Sequence, residues 1–314
     1  MKLGIIMDSI KKINVNKDSS FSILLSAQKK GFEIYYMEIQ DLYLKNNCAK
    51  SSAKLINLKK DNIEWFKFKK DKNIFLDELD VILIRKDPPF NEKFMYLTHI
   101  LDRIKHNTLI INNPNSLRKF NEKIFASIFY PKTPETLITC KKKLIFDFLK
   151  DNKEIIIKPL NKMGGFSVFY LNVNDINLNV ILENMTNKEK KFCLVQKFIP
   201  SVFNGDKRIF IINGKAIKYC LSRIPSKGEI RANLSSGGKG KLEIINKNDK
   251  KIIKKITPVL IKNKIFIAGI DIIGNFLTEI NITSPTCMQE IEKLSNFSIS
   301  NYIIKEIKRE ITCM

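Results

Sequence analysis

Apolar positions in the first third of the chain fall in short runs separated by one amphipathic stretch. Residues 2–8 read KLGIIMD, an apolar run; residues 18–31, DSSFSILLSAQKKG, put Phe21, Leu24 and Leu25 on one helical face; residues 32–39, FEIYYMEI, are apolar and aromatic again. Asp18, Ser19 or Ser20 can cap the helix and Gly31 can stop it, so the opening predicts a strand–helix–strand unit. DVILIRKDPPF adds a buried strand ending at Pro88–Pro89, and TLIINNP adds another ending at Pro114. Residues 1–120 therefore predict a doubly wound α/β unit. No G-x-G-x-x-G follows the first strand, which disfavours a dinucleotide site and leaves substrate contacts or structure as the role of this unit.

From residue 121 onward the texture changes to strand pairs around glycine-bearing loops. NKEIIIKPLNKMGGFSVFYL reads as strand, loop, strand; KFCLVQKFIP as a strand; RIFIINGKAIKYCLSR as a hairpin on an Asn213–Gly214 type I′ turn. IPSKGEIRANLSSGGKGK, residues 224–241, is a long polar loop of the kind that serves as a lid. Asp249–Lys264 has a helical pattern that Pro258 must kink or bound. IFIAGIDIIGNFLTEINITSP forms a second hairpin, and residues 289–311 close the chain as helix.

Composition narrows the function. With 55 Lys+Arg against 32 Asp+Glu, the 314-residue chain carries a formal net charge of +23. That charge invites a nucleic-acid reading. Yet only seven of the basic residues are Arg, and the excess of Lys, Ile and Asn runs through the whole chain rather than along one stripe. Lys141–Lys143 and Lys250–Lys255 read as solvated helix faces, and no RNP pattern, helix-turn-helix or zinc knuckle is present. No apolar run approaches the roughly 20 residues of a membrane span, and the N-terminus lacks a signal-peptide core, so no membrane partner and a cytoplasmic location are expected. Six scattered cysteines should be reduced thiols; two histidines, His99 and His106, leave no material for a zinc site or a Ser-His-Asp hydrolase. Any metal is then oxygen-ligated, which points to magnesium.

The oxygen donors stand in D-I-I-G-N-F-L-T-E-I-N. Glu279 and Asn281 are two apart on one strand and share a face. A two-residue turn at Gly274–Asn275 would put Asp271 on the opposite face, so a three-residue turn or a bulge is required if all three are to share a cation; an ordinary exposed polar strand face is the alternative. Lys158 ends a buried strand before Gly164–Gly165, where its ammonium either joins backbone N–H groups around a polyphosphate or snorkels to water. Arg85, Arg208, Arg223 and Arg231 stand out because Arg is rare here; each either grips a carboxylate or phosphate through its fork or makes an ordinary salt bridge.

In order and spacing, NEKIF, IIIKPLNKMGG, VQKFIP, GDKRIF, the glycine-rich lid and DIIGNFLTEIN resemble the ATP-grasp ligases. KDSSF, LIRKDPPF and GIDIIGNFLTEINITSPT narrow this to the bacterial glutathione synthetases, over Met1 to about Glu310. The resemblance implies an α/β domain at 1–120 that contacts substrate, then an ATP-grasp fold of two α+β subdomains at 121–200 and 201–314. It implies that Lys123 and Lys158 touch ATP phosphates, that Met163, Gly164 and Gly165 belong to the phosphate loop, and that Gln196, Lys197, Phe198 and Ile199 hold adenine, with Asp206 a nucleotide-side carboxylate. Asp271, Glu279 and Asn281 match Mg²⁺ ligands, with Mn²⁺ as a substitute. Arg208, Arg223 and Arg231 match catalytic positions, and Asn233, Ser284 and Thr286, with Arg85, substrate positions. The implied partners are ATP, γ-glutamylcysteine and glycine, in a homo-oligomer of tetrameric form; another ATP-grasp carboxylate–amine ligase is the alternative, and a chain that binds Mg–ATP without turnover a third. Three positions depart from the family pattern: Lys162 replaces a glycine in the phosphate loop, Ala232 stands at a glycine position of the lid, and Lys239 replaces an arginine. Lys162 is expected to reach an ATP phosphate. If position 232 needs positive φ, Ala232 costs about 1 kcal/mol.

Overall fold

The computed structural model describes residues 1–104 and 107–314; His106 lies outside the described residues. The opening run forms β1 (Lys2–Met7) and leads to α1 (Ser19–Lys29), where the Asp18 carboxylate accepts from the Phe21 N–H at 2.7 Å and Gly31 turns the chain at φ +84°. Then come β2 (Glu33–Met37), β3 (Leu42–Lys45), β4 (Cys48–Leu58), β5 (Phe66–Phe75), β6 (Val81–Arg85), α2 (Glu92–Leu101), β7 (Leu109–Ile111) and α3 (Pro114–Lys119). The sheet runs β3-β4-β2-β1-β6-β7, with β5 paired to β4. Its β2-β1-β6-β7 part is parallel. Alternation divides the core: Leu3, Ile5 and Leu83 pack towards α1, whereas Ile6, Ile82 and Ile84 pack towards α2. Because β2 and β6 lie on opposite sides of β1, the chain reverses winding between β1 and β6. The antiparallel extension β3–β5 had no assignment from sequence; most of β5 is exposed and its lysines blur the alternation.

The second sheet is antiparallel, in the order β10-β9-β11-β8. It is built from α4 (Glu122–Ser127), β8 (Thr136–Thr139), α5 (Lys142–Asn152), β9 (Glu154–Pro159), β10 (Phe169–Asn172), α6 (Leu178–Thr186) and β11 (Cys193–Lys197). Ile155 and Ile157 face α5 and α6, so Ile156 and Lys158 face the other way. The third sheet, β14-β13-β12-β15-β16, comprises β12 (Asp206–Ile212), β13 (Lys215–Ile224), β14 (Lys239–Ile244), β15 (Ile267–Ile273) and β16 (Phe276–Asn281). It carries α7 (Lys247–Lys262), α8 (Met288–Ser295) and α9 (Ile299–Cys313). The Asn213–Gly214 turn has both residues at positive φ, +46° and +74°, as type I′ requires. Pro258 lies inside α7, and β14 occupies the end of the stretch read from sequence as loop. The α/β and α+β classes expected from sequence are both present, and among the described residues no helix is long and apolar enough to cross a membrane.

One buried amide joins the first sheet to the third. Asn112 donates from Nδ2 to the carbonyls of Ile267 (2.7 Å) and Ile282 (2.6 Å), and its Oδ1 accepts from the Phe266 and Ile267 N–H groups, both at 2.8 Å. All four hydrogen-bonding positions of the amide are used. Asn112→Leu strands four backbone groups, and at 1–3 kcal/mol for each unsatisfied group the expected loss is about 4 kcal/mol or more, read as a shift in the urea midpoint.

Candidate active site

The β15–β16 hairpin decides whether three oxygen donors can meet. Its turn has two residues, with Ile273 opposite Phe276 and Ile272 opposite Leu277, but a bulge at Thr278 then sets Asp271 opposite Glu279 and Gly269 opposite Asn281. Thr278 is the extra residue, and its hydroxyl donates to the Asp271 carbonyl at 3.2 Å. Of the two devices that sequence parity allowed, the chain uses the bulge.

Behind the hairpin lies a buried ion cluster. Arg208 grips Asp271 with both prongs, at 2.6 and 2.9 Å; Arg223 reaches Asp271 at 3.1 Å and Asp206 at 2.6 Å. Burial raises the Asp271 carboxyl, but the two guanidinium groups outweigh it and hold it well below the usual carboxylate range. Asp206, buried and close to Asp271, is pushed up to about 6 against the pull of Arg223. Glu279 is held low despite burial, by Lys123 at 3.2 Å and by Lys158. Desolvation pulls the Lys158 ammonium below its ordinary value, with Glu279 opposing. Asn281 turns Nδ2 towards Gly269 O and Asp271 Oδ2, at 3.2 and 3.3 Å.

Part of this cluster forms one end of a cleft of about 910 Å³ between the second and third sheets, which Arg208, Arg223 and Asn281 do not line. Lys123, Lys158, Asp206, Asp271 and Glu279 give it a charged end, Met163–Gly165 a loop wall, and Ile156, Val202, Ile273 and the 196–199 strand end an apolar wall. Gln196 is fixed by donating to Thr136 Oγ1 at 3.1 Å, and Phe198 lies between Tyr170 and Phe203. The loop between β13 and β14 covers the opening: Ser235 and Ser236 hydroxyls donate to Gly164 O, each at 3.2 Å. Gly165 has φ +77°, and a Cβ there would sit 2.6 Å from Asn233 Oδ1. Ala232 is buried with φ outside the positive region, so the cost expected for it does not arise.

Not every residue singled out from sequence meets in the cleft. Arg231 and Asn233 line it from the lid, Arg231 being paired with Glu229. Arg208 and Arg223 sit behind it, through Asp271. Arg85 lies further off, donating to Ser20 Oγ and Pro285 O, each at 3.0 Å, with Ser284 bonded to Asp87; Thr286 offers its carbonyl to Arg208 at 3.2 Å. The Lys162 carbonyl accepts from Lys123 Nζ at 2.6 Å, while its own ammonium stands over the Phe166 ring. Glu122 carries no sequence signal, yet its Oε1 accepts from Ile282 N, Thr283 N and Thr283 Oγ1 at 2.8–2.9 Å, fixing the chain just beyond Asn281. Glu229, facing Arg231, is likewise silent in the sequence.

All six cysteines are free thiols. Burial pushes Cys193 up to about 11 and Cys220 to about 12, and raises Cys287 despite Arg208 and Arg223. At pH 7.5 iodoacetamide is expected to label exposed Cys48 and Cys313 first and these three only after unfolding, as peptide mass mapping would report.

Family models match almost end to end: the prokaryotic glutathione synthetase N-terminal domain over residues 1–118, and its ATP-grasp domain over 122–296. Glutathione synthetase of Buchnera aphidicola subsp. Schizaphis graminum is 50% identical over 312 residues, covering 99% of this chain and 98% of its own. That of Vibrio cholerae is 45% identical with the same coverage. Among solved structures, a D-cycloserine synthetase superposes with TM-score 0.68 at 9% identity, covering 99% of this chain and 100% of its own. D-alanyl-alanine synthetase A of V. cholerae gives 0.64 at 13% identity, over 100% and 99%. These two share the fold. With both family models met in order and relatives alike along the full length, the chain belongs to the prokaryotic glutathione synthetase family of ADP-forming ATP-grasp ligases.

Proposed function

We propose that the cleft joins γ-glutamylcysteine to glycine with ATP cleaved to ADP and phosphate, using the residues described above. The supporting observation is the Thr278 bulge, which sets Asp271 across from Glu279 beside Arg208, Lys123 and Lys158 at the charged end of a cleft that also has an apolar wall of Ile156, Val202 and Ile273. Adenine goes to the apolar side at 196–199, and the phosphates to Lys123, Lys158 and the Met163–Gly165 loop. The donor set suits a hard divalent cation: two carboxylates held ionised, and beside them an amide that donates from its nitrogen to Gly269 and Asp271. Asp271, Glu279 and Asn281 would hold magnesium, which when bound neutralises phosphate charge.

A carboxylate lacks a leaving group, so the cysteinyl carboxylate must first take the γ-phosphoryl group; the glycine amine then attacks that carbonyl and expels phosphate. Lys123, Lys158 and Arg208 place positive charge where negative charge develops. The lid, held to Gly164 by two serines, keeps water from the acyl phosphate. No protein nucleophile is needed. Residues 1–120, 121–200 and 201–314 act as substrate, nucleotide and metal domains, Lys162 swings from Phe166 to a phosphate, and the assembly is a cytoplasmic homotetramer, to be weighed by light scattering. The decisive assay measures ADP with Mg–ATP, γ-glutamylcysteine and glycine, omitting each in turn, with the tripeptide identified by mass. ADP release that needs all three is expected; release with another acceptor instead of glycine would favour a different carboxylate–amine ligase.

A further inference from the structure

Three consecutive residues at the start of α4 hold three different pieces of chain. Asn121 donates from Nδ2 to the Leu160 carbonyl at 3.1 Å, just after β9. Lys123 Nζ reaches the Lys162 carbonyl at 2.6 Å, in the loop that carries Met163–Gly165, and Glu279 at 3.2 Å. Glu122 Oε1 takes the Ile282 N–H, the Thr283 N–H and the Thr283 hydroxyl at 2.8–2.9 Å. Successive side chains on a helix point about 100° apart, so a single turn can face all three. The mount is rigid: the Asn121 side chain caps α4 through the Lys123 and Ile124 N–H groups, and Phe125 and Ala126 are buried, with the Phe125 ring stacked on Phe120.

What Glu122 holds is the chain leaving the hairpin. β16 ends at Asn281, and the first peptide beyond it gives its N–H to Glu122. The next peptide is fixed at both ends, its N–H by Glu122 and its carbonyl by Asn112 Nδ2 at 2.6 Å. Thr283 borders a cavity of about 430 Å³ whose walls include Phe90, Phe120 and Lys162, so on that side bonds rather than close packing hold it. Glu122 itself does not line the cleft between the second and third sheets, whereas Lys123 and Glu279 do.

We propose that Glu122 is a positioning residue for the reaction, setting the Asn281 end of β16 at a fixed distance from Lys123 so that the cation ligands and the phosphate-side lysine are in register before any ligand arrives. The inference rests on the magnesium and nucleotide placement proposed above. Groups that orient ligands without touching the substrate carry much of a site's precision, and their loss typically costs about 10–100-fold in metal affinity or activity. All three donors to Glu122 are neutral, so a glutamine oxygen in the same place serves them.

The test uses Mn²⁺ as probe. Its EPR signal, titrated with protein and adenosine β,γ-imidotriphosphate, reads cation binding without turnover, and the ADP assay reads kcat. Glu122→Ala should weaken Mn²⁺ in this complex about 10-fold and lower kcat about 100-fold, while metal-free binding of the analogue stays within about twofold. Glu122→Gln should bring both readings back to within about threefold of wild type, because the acceptor returns. Leu24→Ala, in the core against α1, lowers the melting temperature and should move neither. Glu122→Asp, whose shorter arm draws the oxygen back, replaces the alanine variant if that one does not fold, and the same Mn²⁺ loss is expected. A folded Glu122→Ala with wild-type Mn²⁺ binding and kcat overturns the proposal. So does a glutamine variant as defective as alanine, which would make the charge and not the position the cause, and so does an equal Mn²⁺ loss in Leu24→Ala. The expected Mn²⁺ pattern in a protein that releases no ADP keeps the positioning role and removes the ligase reading; wild type that binds no Mn²⁺ with the analogue overturns the positioning role together with the cation site.

Discussion

Glu279→Gln is expected to lower ADP formation about 1,000-fold, the upper range for removing one electrostatic stabiliser, while the protein melts near the wild-type temperature. The glutamine matches the glutamate in shape, and its amide oxygen still accepts from Lys123, now at 3.2 Å from Glu279. What disappears is the charge. Glu279 is the carboxylate that both Lys123 and Lys158 act upon, so it sets the balance at the end of the cleft where the phosphates are proposed to lie. Without it the proposed cation site loses one of two carboxylates, and only the more distant Asp206 and Asp271 are left to offset the repulsion between the two ammonium groups. Raising magnesium should recover binding but not kcat. Lys123→Met gives the comparison: if Glu279 only held Lys123 in place, the two variants and their double would fall equally, whereas a direct role makes the double worse than either. A rate within threefold of wild type in Glu279→Gln would remove Glu279 from the machinery.

The hairpin shows how far such a site can be read from sequence. Parity along a strand fixes that Glu279 and Asn281 share a face, and it also fixes that a plain two-residue turn excludes Asp271. It therefore demanded an irregularity without locating it. The bulge at Thr278 is set by pairing across β15 and β16 and by a hydroxyl contact to Asp271 O, neither of which leaves a local pattern. Strong local signals survived intact: the Asp18 cap, the Asn213–Gly214 turn and the winding of the first sheet. Elements with weak contrast did not, notably β5, where lysines interrupt the alternation, and β8, only four residues long. Asn112 and Glu122 were equally silent, because each works through backbone groups that lie more than 150 residues away.

The net charge of +23 carries little of the chemistry. Lys142, Lys143, Lys250, Lys251, Lys254 and Lys255 stand on the outer faces of α5 and α7, Lys142 paired with Glu183. The cations that matter are the few in or behind the cleft, and there arginine outnumbers its share of the composition because only a planar fork can hold two carboxylate oxygens at once. Rarity of Arg in a lysine-rich chain was thus informative where total charge was not.

Asp271→Asn should cost both stability and activity, and a second substitution should separate the two. Asp271 answers two buried guanidinium groups, Arg208 through a fork at 2.6 and 2.9 Å and Arg223 at 3.1 Å. Removing its charge leaves Arg208 uncompensated inside the protein, a defect that costs about 3–5 kcal/mol in comparable buried pairs. Asp206 offsets part of this, because losing Asp271 removes one of the influences that push its carboxyl up to about 6. The urea midpoint should fall accordingly, and ADP formation should drop below detection. In the double variant Arg208→Met with Asp271→Leu, no buried charge is left unpaired on that side, and Arg223 keeps Asp206 at 2.6 Å. Buried ion pairs replaced by apolar side chains of similar volume are commonly neutral, so the double variant should regain most of the lost stability. Its activity should stay absent, since neither the carboxylate for the cation nor the guanidinium for the developing charge returns. A stable double variant that forms ADP at even one-tenth of the wild-type rate would show that this cluster only braces the third sheet and that the phosphoryl transfer is served from elsewhere in the cleft.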